Sequence, residues 1–230
     1  DLGLQRLLVG HLPITAGLEH QEGVGLVQPP RVPAELVGAR ARDDAGGLPH
    51  PREQGVQGCD ATLATPPAPG GEHAQYGTHN RLFKIATPAH PLAYFEIIAI
   101  NPDAKRPANT TAKRWFDMDD VALQAAVKLE PRLVHFVANT DDMQAARRAL
   151  KALEIDRGPA VKANRHSRRG LLEWQITVRE DGQRLFNGTL PSLIQWGAAD
   201  AAEPLRLHPR NNLPRSGVSL QGLAISHPTA

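Results

Sequence analysis

The sequence predicts an α+β fold with a weak internal duplication, and three stretches carry that prediction. Tyr94–Ile100 is a seven-residue apolar run broken by one carboxylate, Glu96. Residues 143–153 are alanine- and leucine-rich, with Met143, Ala146, Leu150 and Leu153 on one helical stripe. Residues 171–178 alternate with a strict period of two, the mark of a half-buried strand.

In chain order, residues 1–50 carry Gly or Pro every few positions and hold no period beyond a turn. They are expected to be irregular, with residues 33–37 as one short possibility. From Arg52 the texture changes: Val56, Cys59 and Leu63 recur at helical spacing. A Pro/Gly loop over 66–71 follows, then a strand over 77–85, a turn at 88–91 and the strand Tyr94–Ile100. Residues 101–131 read as a polar connection with a short helix over 119–127, whose first residues are acidic, as the helix dipole favours. The second unit opens with a short strand over 133–138 carrying His135. Asn139, Thr140 and Asp141 are its N-cap candidates, followed by the helix over 143–153. A basic loop over 162–169, a strand over 171–178, an Asp181-Gly182 turn and a strand over 192–196 complete it. Both units share the order helix, loop, strand, turn, strand, with Gln195 matching Glu96. The second unit also has an opening strand. Its counterpart in the first would fall near 43–51, where two glycines and two prolines make a poor central strand. Residues 218–226 begin one more strand.

Bulk properties set limits. The 230 residues suffice for one large or two small domains. Lys+Arg 26 against Asp+Glu 24, interspersed, gives no electrostatic footprint for nucleic acid. One cysteine, Cys59, excludes an internal disulfide framework and a cysteine-built zinc site. It sits on an apolar helix stripe and reads as an inert buried thiol. No run approaches 18 apolar residues and the chain does not open with a secretory pattern, so no membrane partner and a cytoplasmic location are expected.

Glu96 is the residue that asks for an explanation. On a two-faced apolar strand, Tyr94, Glu96, Ile98 and Ile100 share one face, and a carboxylate removed from water costs several kcal/mol (about 3–5 when its partner is missing) unless a cation, a metal or hydrogen-bond donors compensate it. An arginine partner or a wet strand edge would do so as well as a metal. His135 is either a core histidine or a ligand, and His79 either fixes its loop or acts in acid–base chemistry. The 162–169 cations could hold an anionic substrate, but solvated surface charge is the simpler account. Trp115 and Phe116 either roof a cavity or pack between the units.

Glu72-His73, residues 77–82, 94–99, Arg114-Trp115-Phe116, 167–170, 174–178 and 190–196 together resemble the bacterial glyoxalase-like domain, a branch of the vicinal oxygen chelate superfamily, over about residues 53–227. The resemblance implies two βαβββ modules whose curved mixed sheets enclose a central cavity, with the first strand of module one missing. It implies an irregular, disordered or mis-translated segment at 1–50, module one at 52–100, a linker at 101–131, module two at 132–197 and a C-terminal extension at 198–230. It also suggests that a shifted frame of the encoding DNA holds the missing strand, and that the family's chains continue past Ala230. By position, Glu96, His135 and Gln195 are the implied metal ligands, for nickel, zinc, cobalt, manganese or iron. Glu96 and His79 are the implied catalytic groups, and Asn80, Trp115 and Arg169 the implied substrate contacts. The implied activity is that of a divalent-metal-dependent lyase, isomerase or dioxygenase on a small oxygenated substrate; the alternative is a metal-free module that sequesters a small molecule. A homodimer is the implied assembly, since a missing strand leaves an edge open to pairing.

Overall fold

The computed structural model describes residues 15–20, 51–105, 111–129, 132–167, 169–197 and 202–225. In chain order the elements are β1 (Thr15–His20), α1 (Pro51–Leu63), β2 (Ala68–His73), β3 (Thr78–Lys84), β4 (Tyr94–Ile100), α2 (Val121–Leu129), β5 (Val137–Asn139), α3 (Met143–Ala152), β6 (Ala160–Ser167), β7 (Gly170–Thr177), β8 (Ser192–Trp196) and β9 (Val218–Ala224). The expectations for 33–37, 43–50, Arg168 and 226–230 fall outside the described residues.

The strands form three sheets, β2-β3-β4, β5-β8-β7-β6 and β1-β9. In the second sheet β5 lies parallel to β8 while β8, β7 and β6 are antiparallel neighbours, which is the strand order of one βαβββ module. The first sheet repeats that order from β4 back to β2. Among the described residues, no strand takes the place beside β4 that β5 takes beside β8. The fold is therefore α+β, with two related modules and, among the described residues, no opening strand for the first.

Several local expectations change. The Pro/Gly loop is the strand β2, paired with β3 through an irregularity between Pro69 and Glu72. Its glycines have a packing reason: a Cβ on Gly70 would collide with the side chain and carbonyl of Asn80, and one on Gly71 with the Arg165 guanidinium. The basic loop is largely the edge strand β6, where Lys162, Asn164 and His166 are exposed and Val161, Ala163 and Arg165 turn inward. The strand expected over 133–138 shrinks to Val137–Asn139, so His135 precedes it. Residues 15–20, inside the segment expected to be irregular, form β1 antiparallel to β9. The short linker helix is displaced to Val121–Leu129, because Asp120 caps it by accepting from Leu123 N at 2.7 Å. The cap of α3 is Asp142, not one of the three residues before it, and it accepts from Ala145 N at 2.8 Å.

Two apolar clusters hold the fold. The larger joins the modules through Tyr76, Trp115, Leu172, Ile176, Ile194 and Trp196, with Tyr94 and Ile98 of β4 packed against it. The faces of the two sheets that meet there are called inner below. The smaller cluster lies under α1, where Phe83 and Ile85 pack on Val218, Leu220, Cys59 and Leu63. Fully burying a side chain such as Phe83 stabilises by ~1.5–3 kcal/mol. Among the described residues no helix is long and apolar enough to cross a membrane.

Candidate functional site

Strand register decides which polar groups share the inner face. Tyr94, Glu96, Ile98 and Ile100 lie opposite Lys84, Leu82, Asn80 and Thr78 of β3. Thr78 in turn lies opposite His73 of β2. This brings His73, Thr78, Asn80 and Glu96 to one side of the first sheet.

Asn80 is the hub of that group. Its Oδ1 accepts from Gly71 N at 2.7 Å, which fixes the amide so that Nδ2 donates to Glu96 Oε1, also at 2.7 Å. Nδ2 also lies 3.4 Å from His73 Nε2, and His73 Nδ1 is 3.0 Å from Thr78 Oγ1. With Nε2 facing a donor, the ring proton belongs on Nδ1, toward the Thr78 hydroxyl. Arg165 of β6 packs over Gly71 and brings a cation from module two to this face.

The electrostatics follow from burial. Burial pushes the Glu96 carboxyl up from its ordinary value, while the Asn80 hydrogen bond and Arg165 pull it back down. Burial, then Arg165, then His79 hold His73 down at about 4, so its imidazole is neutral at pH 7. The Tyr94 phenol is raised far above its usual range by burial and by the neighbouring Glu96. The result is a carboxyl of raised proton affinity beside a neutral imidazole, a phenol and one guanidinium.

The other expected residues are distributed differently. His79 is adjacent to Asn80 in sequence and so faces the opposite way, opposite Ala99 and under α1, with Arg52 Nη1 at 3.1 Å from its Nδ1. Gln195 lies on the outer face of β8, opposite Gln175. Its Oε1 already accepts from Met143 N at 2.8 Å and from Gln175 Nε2 at 3.2 Å, so it holds the start of α3 against the sheet. His135 Nε2 accepts from Ser192 N at 3.2 Å and lies 3.1 Å from Ser192 Oγ, with its ring against Phe116. Burial, Arg157 and Arg184 hold it down at about 3, and it is neutral. Trp115 is 4 % exposed and stacks between Tyr76 and Phe116, with the His73 ring against it 4.9 Å away. Arg169 is exposed in the turn between β6 and β7, its N–H donating to Ser167 Oγ.

Glu96, His135 and Gln195 thus have three separate sets of partners, and the carbonyl oxygen of Gln195 is taken on the far face of its sheet. Among the described residues no three His, Cys, Asp or Glu side chains are gathered as a metal would need. The described residues do not by themselves make up the ligand set of the divalent metal that the resemblance implies. What the inner face does gather is Asn80 and Glu96 with His73, Tyr94 and Arg165. His73 and Tyr94 were not among the expected site residues, and Arg165 entered only as one of the 162–169 cations. His73 lies in a strand disguised by its glycines, and Arg165 in a strand disguised by its charges.

Where the inner faces meet they are filled by the chain's own rings, chiefly Tyr94, Trp115 and Trp196. Open cavities lie elsewhere. One of about 380 Å³ lies between residues 171–173 and 202–207, and one of about 210 Å³ between α3 and residues 155–158. No curated protein and no solved structure matches the chain. A family model described as a glyoxalase-like domain matches residues 50–230, which cover both modules and the site just described, and the chain belongs to that glyoxalase-like domain family.

Proposed function

We propose that this glyoxalase-like domain binds a small oxygenated acid on its inner face without a metal, Glu96 and Arg165 being the two groups that recognise it. The observation that carries the reading is the Asn80-held Glu96 carboxyl with a raised proton affinity on the face that Arg165 reaches. A guanidinium suits an anionic oxygen, and a carboxyl that can keep its proton suits an adjacent hydroxyl or carbonyl. Together they favour a 2-hydroxy or 2-oxo acid. Such a ligand would displace rings of the aromatic lining, so binding would change the fluorescence of Trp115 and Trp196.

The test is a fluorescence and calorimetric titration of chelator-treated protein with a panel of 2-hydroxy and 2-oxo acids. At least one acid should bind saturably, and Glu96→Gln and Arg165→Ala should each weaken it by about tenfold or more, as expected for a hydrogen bond to a charged group. Two results would overturn the proposal. One is that no acid binds. The other is that binding requires a stoichiometric divalent ion which Glu96→Ala loses, the behaviour of a metal-dependent lyase, isomerase or dioxygenase.

A further inference from the structure

Arg157, in the segment between α3 and β6, is 3 % exposed. Its Nη1 donates to the Arg184 carbonyl at 3.1 Å and its Nη2 to Ser192 Oγ, while its buried Nε has no hydrogen-bond partner among the described residues. The carboxylates in its field are already engaged. Asp117 accepts from Arg184 Nε at 2.8 Å, and Asp181 from Arg179 Nη2 at 2.6 Å. Burial, then Arg179, hold Arg157 down at about 10, which leaves it charged at neutral pH. A buried cation with no carboxylate of its own is costly to fold around.

The cavity of about 210 Å³ lies beside it, on the side of the second sheet that α3 covers. Arg147, Arg148, Lys151 and Arg157 line it, opposed by Asp156 alone, whose Oδ1 accepts from Gly158 N at 2.8 Å. Arg147, Arg148 and Lys151 of α3 against Asp156 leave a charge of +2 at the hollow, while the Arg157 guanidinium is engaged by the Arg184 carbonyl and Ser192 Oγ. Arg147 is held in place there, its Nε donating to the Gly158 carbonyl at 3.1 Å. The volume admits a tetrahedral oxyanion together with several waters, each about 30 Å³ in the liquid.

We infer that this cavity is an oxyanion site that takes a phosphate group, separate from the inner face. The phosphate is either inorganic or the end of a phosphomonoester, and the two call for the same cations but differ in how much else they touch.

The full chain is titrated with sodium phosphate, with glycerol 3-phosphate and with sodium chloride at matched ionic strength, since exposed cations respond to salt alone. Thermal unfolding and calorimetry are the readouts. Phosphate should raise the unfolding temperature saturably where chloride does not. An Arg148→Ala/Lys151→Ala double variant, in which both side chains are exposed and outside the packed core, should weaken phosphate binding by about tenfold. Equal affinity for the two phosphates assigns the site to the free ion, and tenfold tighter glycerol 3-phosphate assigns it to a phosphomonoester. The inference fails if phosphate and chloride act alike, or if the folded double variant binds phosphate as the parent does.

Discussion

Replacing Asn80 with alanine removes two short hydrogen bonds at once, and with them the longer contact to His73 Nε2. Gly71 N loses its acceptor and Glu96 loses its donor, and both groups stay half-buried. A neutral bond contributes ~0.5–1.5 kcal/mol and one to a charged group ~1.5–3 kcal/mol, so Asn80→Ala should cost about 3 kcal/mol. For a chain of this length each kcal/mol shifts the unfolding midpoint by ~2–4 °C, which predicts a fall of roughly 6–12 °C. The assay is thermal and urea unfolding followed by circular dichroism, with Glu96→Gln and the double variant completing a cycle. The two sites should couple, because Asn80→Ala matters less once no carboxyl needs its donor. Asn80→Asp sharpens the test. It keeps an acceptor for Gly71 but sets a second carboxylate against Glu96, so it should be worse than alanine at pH 7 and recover on acidification. An Asn80→Ala variant within 0.5 kcal/mol of the parent, about the scatter of a surface change, would refute the assignment of Asn80 as the hub.

Two further outcomes follow from the same geometry. Gln195→Ala should lose about 1 kcal/mol in urea unfolding of chelator-treated protein, since Met143 N then lacks its acceptor at the start of α3; an unchanged midpoint would count against that role. His208 is 1 % exposed and is held at about 4 by burial and then Arg210, below its ordinary 6.5. The unfolded chain therefore takes up this proton first, so the contribution of His208 is present above pH 6.5 and is lost as pH falls toward 4, up to about 3 kcal/mol in all. Urea midpoints at pH 7 and pH 5 should fall less in His208→Phe than in the parent, and parallel falls would remove His208 as a cause.

What the sequence disclosed and what it hid divide along one physical line. β4, β7 and α3 were legible because their periodicity is local and is set by which face each buries. β2 was not, because Gly70 and Gly71 answer to Asn80 and Arg165, neither of which is a sequence neighbour. The site shows the same division. Glu96 and Asn80 stood out, but His73 and Arg165 join them only through β2–β3 pairing and the meeting of β2 with β6. Gln195 and His79 show how sharp the limit is. Along a strand, a shift of one residue turns a side chain to the other face, so an alignment of modules that is right to within one position can pair residues that face opposite ways.

The last strand has a consequence for how this chain comes to be folded. Val218 and Leu220 complete the apolar cluster under α1; Leu220 N donates to the Ile85 carbonyl at 2.8 Å, and Ser216 Oγ bonds the Lys84 carbonyl 132 residues away in sequence. Module one is thus closed by chain that is synthesised after module two. On a ribosome, Phe83 and Ile85 would wait without Val218 and Leu220 through the whole making of the second module. Contacts of such separation slow folding and leave apolar surface open to aggregation meanwhile. The early half of this protein depends on its late end, and the two modules, alike in architecture, are not equals in the order of assembly.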